Sequence, residues 1–117
     1  MIADPQGTLW INPTGNPGMA TAGTGDVLAG MLGALLGQGY EPSTAARLAV
    51  YAHGLAGDVA AAKVGQRAML AGDVLESLPG AFQQLDAAPV TPPASWEHRW
   101  LRGNPRAVSP RRTVQPC

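Results

Sequence analysis

Four glycines and two prolines fall between Asn12 and Asp26 (NPTGNPGMATAGTGD), and an apolar run begins at the next residue. This stretch limits the fold more than any other. Glycine reaches positive φ without steric cost, while proline fixes φ and lacks an N–H, so neither a helix nor a central strand runs through it. The loop feeds straight into a helix expected over Val27 to Gly37. There Val27, Met31 and Leu35 form one stripe, with Leu28, Leu32 and Leu36 beside it. Ala29, Gly30, Gly33 and Ala34 fill the remaining positions. Each interior glycine costs about 1 kcal/mol against alanine, so these small residues are expected to permit close packing against another element.

Upstream, Ile2-Ala3 and Thr8 to Ile11 are β-prone runs separated by Asp4-Pro5-Gln6-Gly7. Proline at the second turn position and glycine at the fourth predict a type I turn and hence a β-hairpin. Downstream, Gly37 and Gly39 end the first helix, and Pro42-Ser43 starts a second, with Ser43 as expected N-cap. Leu48, Tyr51 or Ala52, Leu55 and Val59 recur at three- and four-residue spacing to about Ala62. A third helix is expected from Asp73, where Glu76 stands at capping-box distance. Leu78-Pro79-Gly80 is expected to break or kink it, with Ala81 to Leu85 adding a last turn.

Charge divides the chain near residue 86. The first part carries three basic residues against seven acidic ones, the remainder five arginines against Glu97, and the formal net charge is zero. With no net positive charge to attract phosphate backbone, a strongly basic nucleic-acid binder is excluded as a first reading. Residues 87–117 hold six of the eleven prolines and no apolar periodicity. AlaAlaProValThrProPro at 87–93 reads as an extended linker, and Arg106 to Arg112 as a basic, disordered tail. Trp96 and Trp100, four apart, suit one turn of a docking helix. Cys117 is the lone cysteine, which excludes an intramolecular disulfide and any multi-cysteine zinc site. The longest apolar run, Val27 to Leu36, falls short of the roughly 20 residues that span a bilayer. The N-terminus lacks a signal-peptide pattern, so a cytoplasmic protein is expected.

The chemistry concentrates at GTGDVLAG (23–30). The first turn of a helix leaves backbone N–H groups unpaired, and the macrodipole places partial positive charge there. Glycines let that backbone approach a ligand, so the amides of Ala22, Gly23, Thr24 and Gly25 make an anion site suited to phosphate. A carboxylate repels phosphate, which makes Asp26 the odd member. It suits a base that takes a proton from a hydroxyl attacking a phosphoryl group. It equally suits a plain N-cap of the helix. No Gly-Lys-Ser/Thr follows, so this is not a P-loop, and Leu28 stands where a dinucleotide fingerprint needs its third glycine.

The segment NPTGNPGMATAGTGDVLAGMLGALLGQG (12–39) closely resembles the signature of the ADP- or ATP-dependent NAD(P)H-hydrate dehydratases, a branch of the ribokinase-like superfamily. AVYAHGLAGDVAA (49–61) and LAGDVLESLP (70–79) resemble that family's C-terminal helices, so the likeness runs over residues 2–85. GTGD alone is shared by many ribokinase-like kinases, whereas GNPGMATAGTGDVL is much more specific. The resemblance implies a repair enzyme that uses ADP, or ATP in some lineages, with Mg2+, to dehydrate the S epimer of hydrated NADH or NADPH. The nucleotide phosphorylates the added hydroxyl and phosphate is then eliminated. Asp26 matches the substrate-contacting aspartate that would deprotonate this hydroxyl. Gly25 matches the position against the AMP portion, Gly23 and Thr24 add backbone donors, and Asn16 shapes the loop near the substrate. No protein metal ligand is implied in this segment. His53 reads as a packed helix histidine, and Asp58 and Asp73 as local or capping groups.

A ribokinase-like domain is a three-layer α/β/α fold far longer than this chain, with a parallel sheet covered by helices on both faces. The α/β fold expected here is its C-terminal part: a hairpin, a glycine-rich loop and about three helices over residues 1–86, then the tail at 87–117. Without the sheet, the Val27–Leu36 face would be partly uncovered. The family is commonly homo-oligomeric. Two other readings stand beside the dehydratase: a ribokinase-like vitamin-precursor kinase, since GTGD is shared, and an inactive, non-enzymatic remnant.

Overall fold

The computed structural model describes residues 1–87. The expectations for the linker, Trp96, Trp100, the arginine-rich tail and Cys117 lie outside those residues. Strand β1 (Ile2–Ala3) pairs antiparallel with β2 (Leu9–Trp10), with Ile2 opposite Trp10 and Ala3 opposite Leu9. The turn closes through Gly7 N–H to the Asp4 carbonyl at 3.0 Å, and Gly7 takes φ +87°. Asp4 Oδ1 also accepts from the Gln6 and Thr8 amides at 3.0 and 2.7 Å, an aspartate-stabilised turn that fixes the hairpin register.

Three helices follow: α1 (Thr24–Gly37), α2 (Pro42–Val64) and α3 (Ala71–Ala87). The starts of α1 and α3 differ from the sequence expectation, while α2 starts at Pro42 as expected but with a different cap. Helix α1 begins at Thr24, three residues early, because Gly23 at φ +91° forms its N-cap without any side-chain capping bond. Asp26 is therefore inside the first turn rather than at the cap. Helix α2 is capped by Glu41 instead of Ser43. Proline fits the first helical position, and the Glu41 carboxylate accepts from the Ser43 and Thr44 amides, both at 2.9 Å. Those bonds hold the Glu41 carboxyl below its usual range. Helix α3 starts at Ala71, and Asp73 Oδ2 reaches back to accept from the Leu70 amide at 2.7 Å. That bond replaces the expected Asp73–Glu76 box.

Pro79 lies inside α3 without ending it. An interior proline removes one helical hydrogen bond and costs about 3 kcal/mol. Val74 and Ser77 before it and Ala81 after it are all buried, so packing on one continuous face offsets the loss.

Helix α2 packs against both other helices. Its buried stripe is Ala45, Ala49, Ala52, Ala56 and Ala60, each at most 1% exposed. Of the two residues expected to share one position, Ala52 is buried and Tyr51 is exposed. Leu48, Leu55 and Val59 flank the stripe, half-buried. Alanine brings little apolar area per residue, but it lets neighbouring helices come close. Met31 and Leu35 of α1 fill one side of the stripe. Met69, Val74 and Ala81 fill the other. On α1, Leu28 and Leu32 are half-buried and Leu36 is 42% exposed. A methyl group added at Gly30 or Gly33 would meet nothing within 4 Å. The close packing expected at those glycines is thus not made among the described residues. No described helix is long and apolar enough to cross a membrane.

Candidate functional site

The glycine-rich loop lies along one stretch of α2, from Val50 to Asp58. Asn12 Nδ2 donates to the Val50 carbonyl at 3.3 Å, and to the Thr14 carbonyl at 3.0 Å. Thr14 Oγ1 stands 2.9 Å from the Tyr51 carbonyl and 3.1 Å from Asn12 Oδ1. Asp58 closes the far end. Its two oxygens accept from the Gly15 amide and from Asn16 Nδ2, each at 2.9 Å. Asn16 Oδ1 in turn accepts from the Gly18 amide at 3.0 Å and caps a 3-10 turn at Pro17–Met19.

Two glycines of α2 make this contact possible. A Cβ at Gly54 would meet the Thr14 hydroxyl oxygen and stand 2.7 and 2.8 Å from the Thr14 C and O atoms. One at Gly57 would meet the Met19 thioether. HisGlyLeuAlaGlyAsp at 53–58 is therefore a docking strip whose glycines admit the loop and whose aspartate ties it down.

The loop's exit is held as firmly. Thr24 is buried, and its hydroxyl lies 2.8 Å from the Met19 carbonyl and 2.9 Å from the Thr21 carbonyl, so it bonds inward. His53, 9% exposed, brings Nε2 to 2.9 Å from the Thr24 carbonyl oxygen. A carbonyl only accepts, so Nε2 carries the proton. Burial lowers the His53 pKa against the opposing pull of that carbonyl, which keeps the ring neutral near pH 7.

What remains open is the turn itself. Ala22, Gly25 and Asp26 are exposed. The Asp26 and Val27 amides both bond to the Gly23 carbonyl at 3.1 Å. The Gly25 amide has no backbone acceptor among the described residues, and a Cβ at Gly25 would meet nothing within 4 Å. Nothing in the described chain itself demands glycine at 25. Asp26, in the first turn, is also favourably placed for the helix dipole.

Ala22, Gly23, Thr24, Gly25 and Asp26 are therefore brought together at one helix start. Asn16 belongs to the other end of the loop and connects to them through Asp58 and α2. Asp58 was expected to act locally; it bonds residues more than forty positions away in sequence. Asn12 and Thr14 were not anticipated, although the glycines at 54 and 57 and the aspartate at 58 were a readable signal for close backbone approach. Among the described residues no group of three His, Cys, Asp or Glu is placed to hold a metal ion. A cleft of about 390 Å³ lies between the hairpin and the start of α2, lined by Ile2, Trp10, Glu41 and Ser43 among others. It shares no residue with the glycine loop, and its Glu41 is spent on capping.

The geometry is thus a glycine turn that opens a helix, with the Gly25 amide left without a backbone acceptor among the described residues and the Asp26 carboxylate in the first turn. The comparison with known families is more particular. The chain belongs to the family described as NAD(P)H-hydrate dehydratase, whose model matches residues 1–80. It is 58% identical over 86 residues to the bifunctional NAD(P)H-hydrate repair enzyme Nnr of Moorella thermoacetica, covering 74% of this chain and 16% of that protein. To the Escherichia coli enzyme of the same name it is 49% identical over 78 residues, 67% of this chain and 15% of the relative. It is 36% identical over 84 residues to the ADP-dependent (S)-NAD(P)H-hydrate dehydratase of Xanthomonas campestris pv. campestris, covering 72% of this chain and 29% of that protein. The chain thus spans less than a third of each of these relatives. No solved structure matches it.

Proposed function

We propose that residues 1–86 are the C-terminal part of a ribokinase-like three-layer α/β/α domain that dehydrates (S)-NAD(P)H hydrate at the expense of ADP, with 87–117 as a separate tail. The observation that carries this reading is the open Gly25 position at the start of α1, inside a segment matched by the dehydratase family. The leading amides of the turn Ala22 to Gly25 hold nucleotide phosphate. The missing side chain at Gly25 leaves room for the nucleotide to approach. Bound ADP supplies the phosphoryl group that turns the substrate hydroxyl into a leaving group.

Asp26, exposed in the first turn of α1, takes the proton of that hydroxyl. Asn16, fixed by Asp58, sets the outer wall of the loop beside the substrate. The described residues offer no cage for Mg2+, so no step is assigned to it; a magnesium ion bound largely through nucleotide phosphates needs only one or two carboxylates. The full-length enzyme is a cytoplasmic homo-oligomer in this reading.

The test is recovery of NADH absorbance from hydrated NADH with ADP and Mg2+, using the chain restored to the length of its relatives. Asp26→Asn, which keeps the size and removes the base, is expected to lower the rate at least about 100-fold. Full-length protein without recovery, or an Asp26→Asn variant with unchanged rate, refutes the assignment.

A further inference from the structure

The carbonyl of Thr24 and the N–H of Gly25 belong to one peptide unit, and its two ends face opposite environments. The carbonyl end is buried against α2, where His53 Nε2 lies 2.9 Å away. The amide end opens on the exposed turn, without a backbone acceptor among the described residues. We infer that His53 is a positioning residue for the anion turn, acting through this peptide: its Nε2–H fixes the plane of the Thr24–Gly25 amide and polarises it, so that the Gly25 N–H is a stronger and better aimed donor to phosphate. This rests on the proposal that the turn Ala22 to Gly25 holds the nucleotide.

The physical basis is cooperative polarisation. A donor on a peptide carbonyl increases the positive charge on the same unit's N–H, and chains of hydrogen bonds strengthen one another where water is excluded. The orientational part follows from the surroundings. The Thr24 hydroxyl is taken by loop carbonyls, and Gly23 provides no side-chain cap. His53 is therefore the side chain that reaches this peptide from the opposing helix. Packing alone asks only for a side chain of similar volume at position 53, whereas positioning asks for a donor at the place of Nε2. Glutamine brings an N–H to about the same reach. Leucine fills the space without one.

Nuclear magnetic resonance of the chain restored to the length of its relatives separates the two. In the free chain, His53→Leu should shift the Thr24 carbonyl carbon and the Gly25 amide nitrogen upfield, and His53→Gln should return both toward their original positions. Titration with ADP, followed at the Gly25 amide, should show binding weakened about threefold in His53→Leu, since polarisation through one peptide strengthens a charge-assisted bond by roughly 10–30%, and restored to within about 1.5-fold of the unchanged chain in His53→Gln. Equal ADP affinity in a folded His53→Leu chain overturns the inference and leaves the nucleotide reading standing. A Gly25 amide in the unchanged chain that ignores ADP removes the nucleotide reading, and the inference with it. If His53→Leu does not fold, the glutamine variant decides: a folded His53→Gln chain that loses affinity about threefold or more also overturns the inference.

Discussion

The glycine loop and the β-hairpin are neighbours in sequence but are held in opposite ways. The loop, with almost no regular structure, is tied to α2 by Asn12, Thr14, Asn16 and Thr24 and by the Asp58 and His53 side chains. The hairpin is regular, yet its attachment is slight. Arg47 stacks over the Trp10 ring at 5.2 Å, while Leu9 is 61% and Ile11 85% exposed. A two-stranded ribbon is marginal on its own. Irregular backbone is thus the better-fixed part, because α2 supplies it with partners from Val50 to Asp58.

The strongest way to break this contrast is Gly54→Ala. The new methyl group would overlap the Thr14 backbone, and backbone cannot move aside as a flexible side chain can. We expect a loss of about 3 kcal/mol in urea unfolding, with the loop displaced. Gly57→Ala, which meets only the Met19 thioether, should cost clearly less. Equal losses would mean that the loop is not docked by close approach.

Asp58→Ala leaves the Gly15 amide and Asn16 Nδ2 without their acceptor. About 2 kcal/mol should be lost, and amide exchange should accelerate at Gly15 and Gly18 while the hairpin amides stay unchanged. Faster exchange spread evenly over both regions would erase the distinction.

The pH response is a smaller effect. The His53 pKa is lowered from 6.5 in the fold, so the unfolded chain binds the proton more readily. Stability from this group is complete above about pH 6.5 and falls as the pH drops toward the folded value. A melting temperature lower at pH 5.5 than at pH 7.5, with the difference reduced in His53→Gln, checks the sign. The least change is expected from Arg47→Ala. Removing the stacked guanidinium should cost about 0.5 kcal/mol, loosening the hairpin and leaving the Gly15 and Gly25 amide signals in place.

Much of the element order was legible in the sequence. Asp4-Pro5-Gln6-Gly7 specifies its turn through local chemistry, and the three helices announce themselves by apolar spacing. Their caps differ from expectation for a common reason. Gly23, Glu41 and Leu70 are weak sequence signals, and each start is decided by where a carboxylate or a left-handed glycine meets the first turn. At Pro79 local propensity predicts a break or a kink; the helix is not broken, because burial on both sides of the proline holds one continuous face. The alanine stripe of α2 was invisible to a search for large apolar residues, since it matters by the closeness it allows.

The sequence by itself determined the glycine-dense turn, the helix it opens and the adjacent carboxylate of Asp26, because glycine freedom and helix-terminal polarity are local properties. It was also enough to suggest the family, which the match over residues 1–80 establishes. Only the tertiary structure decided that α2 is the template for that turn. The bonds from His53 to Thr24 and from Asp58 to Gly15 and Asn16 join residues far apart in the chain, and no local pattern encodes which carbonyl a buried imidazole will meet.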